Sequence, residues 1–265
     1  MNADSSPRLH RKTRPAAAFA ALGETGLRRI EDCIVNLLQR DEVEDVHALR
    51  VGARYLRAVL WVFGPLVPPG ITQRWKQDLR TLADMAGEVR DWDVFLAETV
   101  QPALERQPGD SILHAVADTA RTRRRLAREI MVTRLAQYRD DPLPALHRDL
   151  AHLPLHADDG TGCLGPFART RVRKARKTLR QRSLAARHDG LLALHRLRIA
   201  GKRLRYAIEA LAPVLPKQKT RRLRHKLVRR QGKLGGVVDE SVARRLMSEC
   251  LGVAPQEHDA GPVAA

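Results

Sequence analysis

The sequence is short of aromatic residues, of cysteine and of acid, and each shortage closes off a class of function. Phe, Trp and Tyr make up 4% of the 265 residues. Binders of single-stranded nucleic acid stack bases on aromatic platforms, and little is available to build one. The three cysteines, Cys33, Cys163 and Cys250, are isolated from one another. No CxxC spacing exists, so neither a zinc site nor a redox motif is signalled, and a disulfide scaffold is not expected at this length. The apolar stretch from Ala58 to Ile71 is broken by Gly64, Pro65, Pro68 and Pro69, which leaves no run long enough for a transmembrane helix. MNADSSPRLHRKTRP, the opening segment, lacks the apolar core of a signal peptide. A cytoplasmic location is the expectation.

Acid is scarce relative to base: 30 Asp and Glu face 48 Lys and Arg, for a formal net charge of +18. Nine of the basic residues are Lys and the rest are Arg. Arg carries a planar fork of donors that grips phosphate oxygens in pairs, which Lys cannot do. A GC-rich genome also favours Arg codons, but it does not create a surplus of cations over anions. With 43% apolar and 29% charged residues, the chain is of the globular class and long enough for a sizeable core.

Pro and Gly divide the chain into helix-length blocks with few strand-like runs. Helices are expected near 17–39, 43–63, 71–86, 92–105, 110–138 and 142–152. A second set is expected near 166–187, 191–212, 217–234 and 240–251. Residues 1–14 and 253–265 read as flexible tails, and 153–166 has the composition of a linker. An internal repeat is also present. A shift that lays VHALRVGARYLRAVL (46–60) on LHRLRIAGKRLRYAI (194–208) also pairs Phe19 with Phe167, Asp41 with Asp189, Pro65 with Pro213 and Pro68 with Pro216. It further pairs Gly87 with Gly235 and Asp91 with Asp239. The Gly–Asp pairs read as a left-handed helix end followed by an N-cap. The chain is thus expected to hold two copies of a helical unit about a pseudo-twofold axis, residues 15–152 and 165–251.

At about 100° per residue, His47, Arg50, Arg54 and Arg57 share one side of the first repeated helix. Leu49, Leu56, Val59, Leu60 and Phe63 gather on the other. In the second copy His195, Arg198, Lys202 and Arg205 take the front, and Leu197, Leu204, Ala207, Ile208 and Leu211 the back. Most charged stripes are solvated faces, but those mix signs. Residues 46–60 and 194–208 contain no acid. If the two fronts face each other they line one groove. A histidine there becomes protonated beside an anion; a hydrogen-bonded structural histidine is the plain alternative.

The HxxRVxxRxLR pattern at 47–57, HxxRIxxKRLRY at 195–206 and GEVRDWDVFL at 87–96 resemble the CHAD domain, a conserved-histidine α-helical domain, over about residues 15–251. The resemblance implies an all-α fold of two four-helix bundles with a basic central groove or pore that binds inorganic polyphosphate, and residence at polyphosphate granules. The matching binding positions are His47, Arg50, Arg54, Arg57, His195, Arg198, Lys202, Arg203 and Arg205. Relatives often carry a fused CYTH triphosphate-hydrolase-type domain; none is present here, so a free-standing copy is expected. The second turn, LGGVVDES (234–241), departs from the pattern at Val237 and Val238.

Among polyanions, a baseless phosphate chain asks only for a lined electropositive trough. Readers of duplex DNA need a protruding helix or a known motif, and neither is visible. A sequence-independent nucleic-acid protein is the alternative binder. Cleavage of phosphoanhydrides needs metal-holding carboxylates or an activated nucleophile. Glu88, Asp91 and Asp93 are the nearest acids, and Asp91 reads as a cap. His147, His152 and His156 have loosely metal-like spacing but are interrupted by Pro154. No catalytic residue, metal or cofactor is therefore expected, and a hydrolase is the lesser alternative.

Overall fold

The computed structural model describes residues 8–153, 162–186 and 191–253, with side chains throughout except at 191, 192, 195 and 230–239. Most of the 153–166 linker, Asp189, His156 and the tail beyond 253 lie outside the described residues. The described elements are helical, as expected: α1 (Pro15–Gln39), α2 (Val43–Phe63), α3 (Pro69–Phe95), α4 (Gln101–Arg106), α5 (Ser111–Asp140), α6 (Pro142–His152), α7 (Leu164–Ala185), α8 (Leu191–Ala210) and α9 (Lys217–Leu251). Short 3₁₀ turns at Gly64–Leu66 and Ala212–Val214 follow α2 and α8. A π-helical stretch, Leu96–Val100, joins α3 to α4.

Local chemistry sets several boundaries. Proline opens α1, α3 and α6, where its missing N–H costs nothing and its fixed φ suits the first turn. Asp110 caps α5 by accepting from the backbone N–H groups of Ile112 (2.8 Å) and Leu113 (3.1 Å). Gly252 ends α9 at φ 67°, a left-handed conformation that glycine adopts without steric penalty.

Two expected helix breaks do not occur. α3 runs unbroken through Gly87 and Asp91, and α9 through Gly235 and Asp239. Gly87 does not have a positive φ. The signals for a cap were present, but at Gly87 and Asp91 a tertiary partner uses them differently. Arg50 of α2 donates to the Gly87 carbonyl at 3.1 Å and to Asp91 Oδ1 at 3.3 Å. A side-chain carboxylate engaged by a guanidinium has no need to cap a helix. The second unit consequently holds three described helices, where a break at 234–240 would have made four.

The apolar backs of the repeated helices form the core as the periodicity predicts. Leu49, Leu56, Val59, Leu60 and Phe63 of α2 are buried, as are Leu204, Ala207, Ile208 and Leu211 near the end of α8, whereas Leu197 is only half-buried. Phe63 ties the units together: it packs 5.7 Å from Phe19 of α1 and stacks at 5.3 Å on Phe167 of α7. α1 and α2 cross closely, since a Cβ on Gly26 would lie 2.3 Å from Leu56 Cδ2. The leading segment is docked from Leu9 onward. Leu9 is buried, the Thr13 carbonyl accepts from Leu164 N–H, and Arg11 Nε donates to the Val214 carbonyl. No described helix is long and apolar enough to cross a membrane.

Candidate functional site: cations between α2 and α8

α2 and α8 pack against each other, so the cationic fronts of both contribute to one region. Lys202 of α8 is its centre. Its amine is half-buried, and burial, then Arg198, Arg54, Arg205 and Arg50, push it down to about 8. Two of these cations come from α2 and two from α8, so the structure brings together five of the expected binding residues. Beside them a cleft of about 260 Å³ opens, lined by Val51, Arg54, Tyr55, Arg205, Tyr206 and Glu209.

These cations differ in how they are held. Arg50 is tethered to α3 through Gly87 and Asp91, and Arg245 of α9 approaches the same carboxylate at 3.9 Å. Arg205 lies 4.8 Å above the Tyr206 ring and 3.9 Å from Glu209 Oε1. Arg54 lies 5.9 Å from the Tyr206 ring centroid. Among the described residues, no carboxylate stands within ion-pair distance of Arg54, Arg57, Arg198, Lys202 or Arg203. Unpaired like charges in a half-desolvated setting repel, and the depressed Lys202 amine registers that repulsion.

His47 extends the cluster toward α3. Burial, then Arg90, Arg54 and Arg50, hold its imidazole below the usual histidine range. In the absence of ligand it is thus biased to the neutral form at pH 7. The side chain of His195 lies outside the described residues.

Arg57 and Arg203 gather elsewhere. Arg203 sits 6.0 Å from the Trp61 ring centroid, and burial followed by the Arg57 charge holds it below the usual guanidinium range. In the repeat Arg203 occupies the register of Tyr55, not that of a front cation, which accounts for its different direction. Arg171 of α7 lies 5.0 Å from the same ring and donates to the Trp61 carbonyl at 2.6 Å. Two residues with no special sequence signal, Arg90 and the buried Arg171, thus stand beside these cations. Arg90 lies in the segment read as a turn, and only the continuity of α3 brings it toward His47. Arg171 is one of eight cations in the acid-free run 167–182, and its contact with Trp61 joins distant parts of the chain.

The acids have other partners. Asp93 is buried and accepts from Arg124 Nε at 2.9 Å, and Arg124 also grips Asp41 through Nη1 and Nη2. Burial raises the Asp93 carboxyl despite that partner, while the Arg124 bond lowers Asp41. His147 lies 3.8 Å from both Glu24 and Glu31. No group of three or more potential metal ligands occurs among the described residues.

A family model described as the CHAD domain matches residues 21–248. The crystal structure of the CHAD domain from the plant Ricinus communis superimposes with a TM-score of 0.72 at 27% identity, covering 97% of this chain and 86% of that one. PptA from Streptomyces chartreusis superimposes with a TM-score of 0.64 at 19% identity, covering 92% and 88%; at that identity the likeness concerns the fold. No curated protein sequence matches the chain.

Proposed function

The chain belongs to the CHAD domain family, and on that premise we propose that it binds inorganic polyphosphate, without cleaving it, between α2 and α8. The observation that carries this reading is the convergence of Arg50, Arg54, Arg198 and Arg205 on Lys202, from two helices, with no carboxylate beside Arg54, Arg198 or Lys202 among the described residues. Burial and mutual repulsion make such a cluster costly when empty. A chain of phosphates offsets the repulsion and accepts several forked guanidinium contacts at once. His47 is assigned to the same surface as a lesser contact, Arg57 and Arg203 to the neighbouring region at Trp61, and His195 enters through its motif alone. Residence at polyphosphate granules in the cytoplasm would follow from this affinity.

The aromatic groups favour a baseless polymer over nucleic acid. Guanidinium groups lie over the rings of Tyr206 and Trp61, where stacking bases would have to sit. Asp91 and Asp93 are engaged by Arg50 and Arg124, and Glu209 by Arg224 and Arg205, which disfavours their use as metal holders in a hydrolase.

A titration with polyphosphates of graded length at two salt concentrations tests the reading. Counterion release predicts a log–log slope of about −3 or steeper, by analogy with single strands at ~−0.7 per phosphate. A slope near zero overturns it. Polyphosphate should displace duplex DNA readily, and the reverse order would favour the nucleic-acid alternative. Release of phosphate on incubation with Mg²⁺ would instead establish a hydrolase.

A further inference from the structure

Among the described residues Glu209 is the one acid in the lining of the cleft beside the cationic cluster, where it is set with Arg54, Arg205 and Tyr206. It is the first acid after the acid-free stretch 194–208. In the repeat it takes the place of Trp61, so the first copy has no carboxylate one turn beyond Arg57. A carboxylate in this position competes with any incoming anion for the guanidinium groups around it. Where it is held decides what the cleft can take.

Two cations on different helices approach the same oxygen. Arg224 of α9 donates from Nε to Glu209 Oε1 at 3.1 Å, whereas Arg205 Nε of α8 stands 3.9 Å from that atom. The first is a hydrogen bond and the second is too long to be one. Arg205 Nε is shut off from solvent and has no hydrogen-bond partner among the described residues. The hydroxyl of Tyr206, which lines the same cleft, is in the same condition. We propose that Arg224 is a positioning residue: it holds Glu209 toward α9 and so keeps Arg205 open to a phosphate oxygen in the cleft. The identity of that anion as polyphosphate rests on the proposed function, whereas the contest of two arginines for Glu209 does not.

Helix geometry explains which arginine prevails. Arg205 and Glu209 lie one turn apart on α8 with the cation on the N-terminal side, the less favourable order for such a pair. The Arg205 guanidinium also lies 4.8 Å over the Tyr206 ring, an attraction that keeps it in place. Arg224 reaches the carboxylate from a neighbouring helix and carries no such constraint. A buried donor without an acceptor is unfavourable, so Arg205 takes whichever acceptor arrives. With Arg224 in place, that acceptor is a phosphate oxygen, joined by charge-assisted bonds. Without Arg224, Glu209 turns back to Arg205, and an anion must first displace it. Arg224 thus acts on the ligand through Glu209.

The test uses the full chain with Arg224→Ala, with Glu209→Gln and with both. Arg222→Ala, at an exposed neighbour on α9, is the control for lost charge alone. In the ligand-free protein, nitrogen-edited NMR spectra follow the Nε–H of Arg205, assigned through Arg205→Lys. Arg224→Ala should move that proton downfield as Glu209 becomes its acceptor, and adding Glu209→Gln should remove most of the change. An Arg205 signal indifferent to Arg224→Ala overturns the proposal.

Polyphosphate titration at one fixed salt concentration gives a second readout. Arg224→Ala should weaken binding about threefold, more than Arg222→Ala does, and Glu209→Gln should strengthen it. In the Glu209→Gln background, Arg224→Ala should weaken binding no more than Arg222→Ala. Equal losses in the two backgrounds overturn the proposal, because the charge of Arg224 would then act on the ligand directly. Failure of the unsubstituted chain to bind polyphosphate would overturn the proposed function instead, and the Arg205 spectrum would still decide whether Arg224 positions Glu209.

Discussion

Arg50 reaches from α2 to α3, where its Nη1 donates to Asp91 Oδ1 at 3.3 Å and to the Gly87 carbonyl at 3.1 Å. This contact makes two neighbouring cations on one helix unequal. Arg54, one turn along, is exposed and has no such partner among the described residues.

Substitution at the two positions should therefore separate binding from folding. Arg54→Glu should leave the melting temperature nearly unchanged and weaken polyphosphate binding about tenfold or more. Arg50→Glu should weaken binding as well and also cost about 1–2 kcal/mol of stability, because it sets a carboxylate against Asp91 and leaves the Gly87 carbonyl unpaired. Thermal melts beside binding titrations check both.

Lys202 should act against the stability of the free protein at neutral pH. Its folded value of about 8 lies below the ordinary lysine value, so the unfolded chain holds more protons between the two. Stability contributed by this group is present above the unfolded value and is lost as pH falls through about 8. Lys202→Met should accordingly raise the melting temperature at pH 7, and the gain should fade toward pH 10.5. The same variant should bind polyphosphate less tightly. Melts across that range decide the point.

Binding of polyphosphate should take up protons. The ligand restores the charged forms of Lys202 and His47, both depressed in the free protein by burial and neighbouring cations. Near pH 8.5 the uptake should approach about one proton, mostly at Lys202. Between pH 6 and 7 a smaller uptake should come from His47. Calorimetric titrations in buffers of different ionisation enthalpy measure it, and Lys202→Met should abolish the component near pH 8.5.

The buried ion network between α3 and α5 should be a separate source of stability. Arg124→Ala strands the Asp93 carboxylate, buried at 7% exposure, and should cost about 3 kcal/mol in denaturant unfolding. Adding Asp93→Asn should recover part of the loss, because no charge is then left without a partner.

Close approach of α1 and α2 gives a steric prediction. Gly26→Ala drives a methyl to within 2.3 Å of the Leu56 side chain and should destabilise by about 2 kcal/mol. Gly70→Ala, with open space around it, should be neutral or slightly stabilising.

Helix positions and faces were legible in the sequence because an amphipathic period sorts residues without reference to partners. The buried row Leu49, Leu56, Val59, Leu60 and Phe63 is the example. Helix continuity through Gly87 and Gly235 was not legible. Glycine followed by aspartate is the local signature of an end and a start, and at Gly87 only a side chain from α2 reveals another use. Arg203 was grouped with the binding residues through its motif, yet its register on α8 turns it to Trp61 and Arg57.

By itself the sequence determined that the chain is helical, strongly basic, and furnished with two acid-free amphipathic helices of matching register. Those properties follow from residue type and spacing alone. Tertiary structure decided which cations are tethered and which are left without an acid. Ion pairing depends on distance in space, and the partners of Arg50 stand on a helix that the α2 sequence does not encode.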